Sequence, residues 1–166
     1  MKRSLYLKSE KLVHLLAERR ENVSTAESCT GGMISAAITS VPGSSGVFEF
    51  GTCTYSERIK TLVVGVDPSL IAEKGVVSEE VASAMADGVR RKASSVYGVS
   101  TTGIAGPSGG GVLPVGTVCI AVSSESGTVS GTYHFEGDRE KVRVSASEKA
   151  IELLINYINN NKKESL

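Results

Sequence analysis

Thr25-Ala26-Glu27-Ser28-Cys29-Thr30-Gly31-Gly32 decides how this chain is read. It has the character of a strand end that hands two candidate nucleophiles, Ser28 and Cys29, to a helix opening near Gly31. Free backbone N–H groups at such a helix start hold an anion or a developing oxyanion, which makes Cys29, Thr30, Gly31 and Gly32 candidate binding residues. The paired glycines allow a ligand close to the backbone, and Met33-Ile34-Ser35-Ala36-Ala37-Ile38 is the apolar helix that fixes the turn on a core. The same residue types also fit a tight strand-to-helix turn in which small polar side chains only cap the helix.

Outward from this turn the chain alternates element types. Upstream, Ser9 is placed to cap a helix from Glu10 to Arg20 with Leu12, Leu15 and Leu16 inward, followed by a strand over Asn22 to Glu27. Downstream, Pro42-Gly43-Ser44-Ser45-Gly46 stops the helix that began near Gly31, and Val47 to Tyr55 reads as a second strand. Ser56 to Leu62 is a short helix, and Asp67-Pro68 starts another that ends at Gly75. Ser78-Glu79-Glu80 opens a longer helix whose Val81, Met85 and Val89 repeat at helical spacing. Val99 to Ile104, Val115 to Ser123 and Thr128 to Phe135 are strands, the last two joined through Glu125-Ser126-Gly127. Asp138 caps a closing helix to about Asn159, with Val142, Ala146, Ala150, Leu153 or Leu154, and Tyr157 inward; Asn159 to Leu166 reads as a polar, frayed tail.

Strands alternating with helices, then a hairpin, predict one domain of α/β class: a three-layer α/β/α sandwich with a mixed sheet of about five strands. Ligands of such folds collect at the carboxyl ends of strands. Ser28 to Gly32, Tyr55 to Lys60 and Thr101-Thr102-Gly103-Ile104-Ala105-Gly106-Pro107-Ser108-Gly109-Gly110-Gly111 all fall there and are expected to wall one site.

Composition narrows the chemistry. Eighteen basic residues balance eighteen acidic ones, so the excess positive charge that drives non-specific nucleic-acid binding is missing from the total. The charged start Met1-Lys2-Arg3-Ser4-Leu5 is followed by no apolar signal-peptide core, and no apolar run approaches the roughly 20 residues of a spanning helix. A cytoplasmic protein without nucleic-acid or membrane partners is expected. Cys29, Cys53 and Cys119 form no CxxC pair, and Cys53 and Cys119 are expected in the core. The only histidines, His14 and His134, sit in amphipathic segments and read as packed residues, which disfavours a Ser-His-Asp triad or a histidine metal site.

Lys60 offers what the histidines do not. It falls about one turn into the helix after Tyr55, among Ile59, Leu62 and Val63, where burial of its stem would lower its pKa toward that of a base able to activate a serine. An exposed, solvated lysine is the alternative. The glycine-rich loop lacks the Gly-Lys-Ser/Thr of a Walker A motif and the spacing of the dinucleotide fingerprint. Its N–H groups could still converge on a phosphate as an anion nest; otherwise it is a mobile connection.

Ala26-Glu27-Ser28-Cys29-Thr30-Gly31-Gly32, Tyr55-Ser56 with Lys60, Thr102-Gly103-Ile104-Ala105-Gly106-Pro107 and Pro114-Val115-Gly116-Thr117-Val118, in this order, resemble the C-terminal domain of the competence/damage-inducible protein CinA. Stand-alone members of that family are nicotinamide mononucleotide amidases. The resemblance implies an α/β/α fold, no metal or cofactor, and hydrolysis of the carboxamide to nicotinic acid mononucleotide and ammonia. By position it makes Ser28 the nucleophile, Lys60 its base, and Tyr55 a partner in proton transfer or oxyanion support. Thr102 and the loop carrying Gly103, Gly106 and Gly109 match the segment lining the nucleotide site, and Arg139 with Arg143 the region from which an arginine approaches the substrate. The chain departs from the family at Glu57, where Asn is usual, and at Leu113, where a Lys usually precedes Pro-Val-Gly-Thr.

The expected chemistry is acyl transfer in two stages, with N–H groups from Cys29 to Gly32 on the oxyanion and an arginine with the glycine loop on the 5′-phosphate. A homo-oligomer is expected. A nucleotide-binding module without turnover, or an interaction domain of a competence or DNA-damage protein, are the alternative readings.

Overall fold

Along the chain the computed structural model, which describes residues 2–109 and 111–161, runs α1 (Arg3–Arg19), β1 (Val23–Glu27), α2 (Met33–Thr39), a 3-10 turn at Ser44–Gly46, β2 (Phe48–Cys53), α3 (Glu57–Val64), α4 (Pro68–Lys74), α5 (Glu79–Ala93), β3 (Tyr97–Gly103), β4 (Thr117–Ser124), β5 (Gly127–His134) and α6 (Arg139–Asn161). The strands form one sheet in the order β2-β1-β3-β4-β5. β1 is parallel to both β2 and β3, while β4 is antiparallel to β3 and β5 to β4. Every residue of β1 is buried, as a central strand covered on both faces requires.

Alternation along β1 and β3 sorts the helices into two layers. Val23 and Val99 share a core with Leu12 and Leu16 of α1, Ile34 and Ile38 of α2, and Ala150 and Leu154 of α6. Ala26 faces the other way, into a cluster with Val64 of α3 and Met85 and Val89 of α5. The three-layer sandwich with a five-stranded mixed sheet is therefore present as expected. The chain leaves β1 for β2 on one side and returns past it to β3 on the other, so the carboxyl end of β1 is a point where the strand order reverses.

Capping positions the helices nearest that point. Ser56 accepts from the Ile59 N–H, Asp67 from Ser69 and Ser78 from Val81. Asp138 likewise accepts from the Lys141 N–H. Gly88 of α5 faces the carbonyl of Val64, where any Cβ would collide, so α3 rests directly on the backbone of α5. That close approach fixes the helix carrying Lys60.

Several expectations change. α1 begins at Arg3, and Ser9 is not its cap: it is fully buried mid-helix and its Oγ donates to the Leu5 carbonyl. The roughly two extra turns form because Leu5 is buried in the core, and tertiary burial outweighs a missing N-cap side chain. Cys53 is exposed, because β2 is an edge strand with alternating exposure; Cys119 is buried as expected. His14 and His134 are both exposed rather than packed. α6 continues through Asn161, so Asn159 to Asn161 are helical. The rest of the expected tail, and Gly110 in the glycine loop, lie outside the described residues. Among the described residues no helix is long and apolar enough to cross a membrane.

Candidate active site

Glu27 and Ser28 are consecutive on an extended backbone, so their side chains leave opposite faces of the sheet. The Ser28 N–H still donates to Thr101 O at 3.0 Å, which extends the β1–β3 ladder by one residue and orients the hydroxyl toward α3. The chain then turns through Gly31 and Gly32, at φ 60° and 89°, a conformation that favours glycine.

On the other face, the Glu27 carboxylate is buried and fills the start of α2. It accepts from Gly32 N at 3.0 Å, Ile34 N at 3.1 Å and Ser35 N at 2.8 Å, and from the hydroxyls of Ser35 at 2.8 Å and Thr30 at 2.7 Å. The Gly31 N–H is taken by Ser28 O at 3.1 Å. The expectation that Gly31 and Gly32 offer N–H groups to substrate is therefore corrected: the chain's own carboxylate holds the positive end of this helix. The Cys29 and Thr30 N–H groups have no backbone acceptor among the described residues, and of the two residues only Cys29 lines the cavity beside Ser28, Thr30 being fully buried.

Lys60 is fully buried. Its Nζ lies 3.0 Å from Ser28 Oγ, 2.7 Å from Thr54 O and 3.5 Å from Tyr55 O. No carboxylate lies within 4.0 Å of it among the described residues. An unpaired buried ammonium is expensive, so burial favours the neutral amine over the charged form. Burial pushes the Lys60 pKa below its ordinary value, against a smaller upward pull from Cys29 and Glu57. As a neutral amine Nζ has two N–H bonds for the Thr54 and Tyr55 carbonyls and one lone pair, which then accepts the Ser28 hydroxyl proton.

Cys29 faces the main core, and burial pushes its thiol up to about 11. A thiol protonated at neutral pH is a poor nucleophile. Of the two adjacent candidates, only Ser28 has a base in hydrogen-bonding contact.

Ser28 and Lys60 open into a cavity of about 360 Å³ that Cys29, Tyr55, Thr102, Gly103 and Arg139 also line, so the three expected segments do meet. Thr102 is nearly fully buried and its Oγ1 donates to Val76 O at 2.8 Å, which ties the β3 end to the α4–α5 connection. Thr30 bonds Thr101 and Glu27 and acts within the turn. Arg139 donates to Gly106 O at 2.6 Å and to the Tyr55 hydroxyl at 3.0 Å. Tyr55 thus contacts Lys60 through its carbonyl, while its phenol, 63% exposed over the whole residue, meets Arg139 rather than Ser28. Arg143 lies elsewhere: it donates to Thr30 O at 2.8 Å beside Gly31 and does not line the cavity. Gly109 is on the exposed part of its loop, away from the lining. Leu113 lines a different cavity, with Ser78 and Thr132, so that departure does not reach Ser28.

Sequence reasoning missed the seat made by Glu27 and the wall made by Val76 and Val77. The carboxylate seven residues before Ile34 was the available signal for the first; the second had none beyond its place between two helices.

The model of the CinA C-terminal domain family matches residues 7–158. The chain belongs to the CinA C-terminal domain family. A CinA-like protein of Anaeromyxobacter sp. (strain K) is 47% identical over 146 residues, covering 87% of this chain and 36% of that protein. A CinA-like protein of Geobacter sp. (strain M21) is 47% identical over 150 residues, covering 90% of this chain and 36% of that protein. The chain thus spans about a third of the length of these CinA-like relatives. Among solved structures, the competence/damage-inducible protein CihA from Agrobacterium tumefaciens superposes with a TM-score of 0.91 at 32% identity, covering 96% of this chain and 98% of that one. A CinA superfamily protein from Escherichia coli gives 0.88 at 29% identity, covering 91% and 88%. The Ser28–Lys60 cavity therefore sits in a CinA-type fold.

Proposed function

We propose that this domain is an amidohydrolase that converts nicotinamide mononucleotide to nicotinic acid mononucleotide and ammonia. The observation that carries the reading is the buried, counter-ion-free amine of Lys60 at 3.0 Å from Ser28 Oγ, inside a cavity at the carboxyl ends of parallel strands.

Neutral Lys60 removes the Ser28 proton as Oγ adds to the carboxamide carbon, and the N–H of Cys29, the turn residue beside Ser28 that lines the cavity, is the donor placed to meet the oxyanion. The Lys60 ammonium then gives its proton to the departing nitrogen, so ammonia leaves and an acyl-Ser28 ester remains. Water, deprotonated by the regenerated amine, attacks the ester; the acid leaves and Ser28 recovers its proton. Arg139, fixed by Gly106 and Tyr55, is the guanidinium suited to the 5′-phosphate, so binding far from the amide orients it over Ser28.

The test is ammonia release from nicotinamide mononucleotide, nicotinamide riboside and free nicotinamide. The mononucleotide should turn over with the highest kcat/KM, and the Ser28→Ala protein should release none. A wild-type protein that leaves the mononucleotide intact refutes the proposal.

A further inference from the structure

The cavity that holds Ser28 carries two opposite charges that the protein does not neutralise. Arg139 lines it, and its guanidinium spends its bonds on a carbonyl and a phenol; Glu57, the first residue of α3, also lines it. Neither has an ion-pair partner within 4.0 Å among the described residues. The two approach from different sides. Arg139 is anchored at Gly106, beyond β3, whereas Glu57 borders a second cavity of about 640 Å³ between α3 and α4, which it shares with Val76. Glu57 is close enough to the reaction centre for its charge to be felt at Lys60.

Opposite charges lining one small cavity complement a ligand that carries both signs itself. A cation beside Glu57 and an anion beside Arg139 would each form an ion pair with a side chain that has no opposite charge within 4.0 Å among the described residues. The geometry points to Glu57 as a specificity-determining residue that selects a positively charged, N-substituted pyridinium ring over a neutral ring of the same shape, while Arg139 takes the anionic end. This rests on the amidase reading and deepens it, since the ring of nicotinamide mononucleotide is such a cation. The benefit falls on binding, because the developing oxyanion is negative and gains nothing from a nearby carboxylate. An Asn or Gln at this position would keep the polarity and lose the charge preference.

The experiment compares two ligands, nicotinamide mononucleotide and its neutral carbon-linked isostere, 3-carbamoylphenyl riboside 5′-phosphate. Kd values are measured by calorimetry on the Ser28→Ala protein, so no turnover is needed, with Glu57 intact and with Glu57→Gln. Glu57 is exposed, so the fold should tolerate the change. With Glu57 present the cation should bind about three- to fivefold more tightly than the isostere, the size expected of a partly solvated charge pair. In Glu57→Gln the two Kd values should converge, mainly through weaker binding of the cation. A preference of unchanged size in Glu57→Gln, or no preference with Glu57 present, overturns this inference and leaves the amidase reading standing. Failure of both ligands to bind overturns the two together.

Discussion

Glu27→Gln tests how the turn before Ser28 is held. The carboxylate accepts five hydrogen bonds, three on Oε2 and two on Oε1. A glutamine has one oxygen, and its best placement keeps the three bonds from Thr30, Gly32 and Ile34. The amide nitrogen then confronts Ser35. The Ser35 hydroxyl, which also bonds Thr25 at 2.7 Å, can turn to accept, but the Ser35 N–H cannot and is left without a partner. An orphaned donor costs about 1–3 kcal/mol, and the three retained bonds lose their charge assistance, so a total of about 2 kcal/mol is reasonable. For a domain of this size that lowers Tm by roughly 4–8 °C. Thermal melts monitored by circular dichroism give the first readout. Ammonia release well below Tm gives the second: kcat should fall more than KM rises, because the seat positions Ser28 and not the nucleotide. A variant melting within about 1 °C of the parent would refute the reasoning, since the bonds would then carry little net stability.

Ser28→Ala should abolish ammonia release, by at least roughly 10³-fold, while Cys29→Ala keeps most of it; the reverse outcome would move the mechanism onto the thiol. Lys60→Arg, which keeps a positive charge but no lone pair at working pH, should lose about as much activity as Lys60→Met, on the order of 10²-fold or more, and an active Arg variant would remove the general-base role. Because the active form of Lys60 is the free amine and burial holds its pKa below the ordinary lysine value, kcat/KM should rise with pH through that pKa and then level. Glu57→Gln removes a charge that raises the Lys60 pKa, so the rising limb should move to lower pH, and a move to higher pH would contradict the assignment. Arg139→Ala should raise KM for the mononucleotide far more than for the riboside, whereas Arg143→Ala should affect both alike; equal effects of Arg139→Ala on the two substrates would place the phosphate elsewhere.

The meeting of Ser28 with Lys60 was legible because each follows a parallel strand of the same sheet, and carboxyl ends of neighbouring strands converge. What the sequence could not convey was which face each side chain takes. Glu27 reads as the last residue of a strand, and only the register with α2 reveals it as the acceptor for three helix amides. Arg139 and Arg143 are about one helical turn apart, and their separate destinations at Gly106 and Thr30 depend on how α6 is docked rather than on spacing. Ser9 shows the same limit from the other side: a capping residue type is a local signal, and burial of Leu5 overrode it.

The sequestration of Lys60 has a consequence for chemical probes. An acylating reagent in solution meets many lysines on the surface but reaches this amine only through the cavity that Ser28 guards. Thiol alkylators fare no better at the centre, since the neighbouring Cys29 holds its proton while Cys53 on the edge strand stands exposed. If Lys60 activates Ser28 as proposed, a serine-directed electrophile such as a fluorophosphonate should label Ser28 in preference to Ser56, the other serine of the cavity lining. On the proposed mechanism its label would count folded, competent sites in a mixture, whereas a thiol alkylator would report on Cys53, whose sulfur packs beside Gly32.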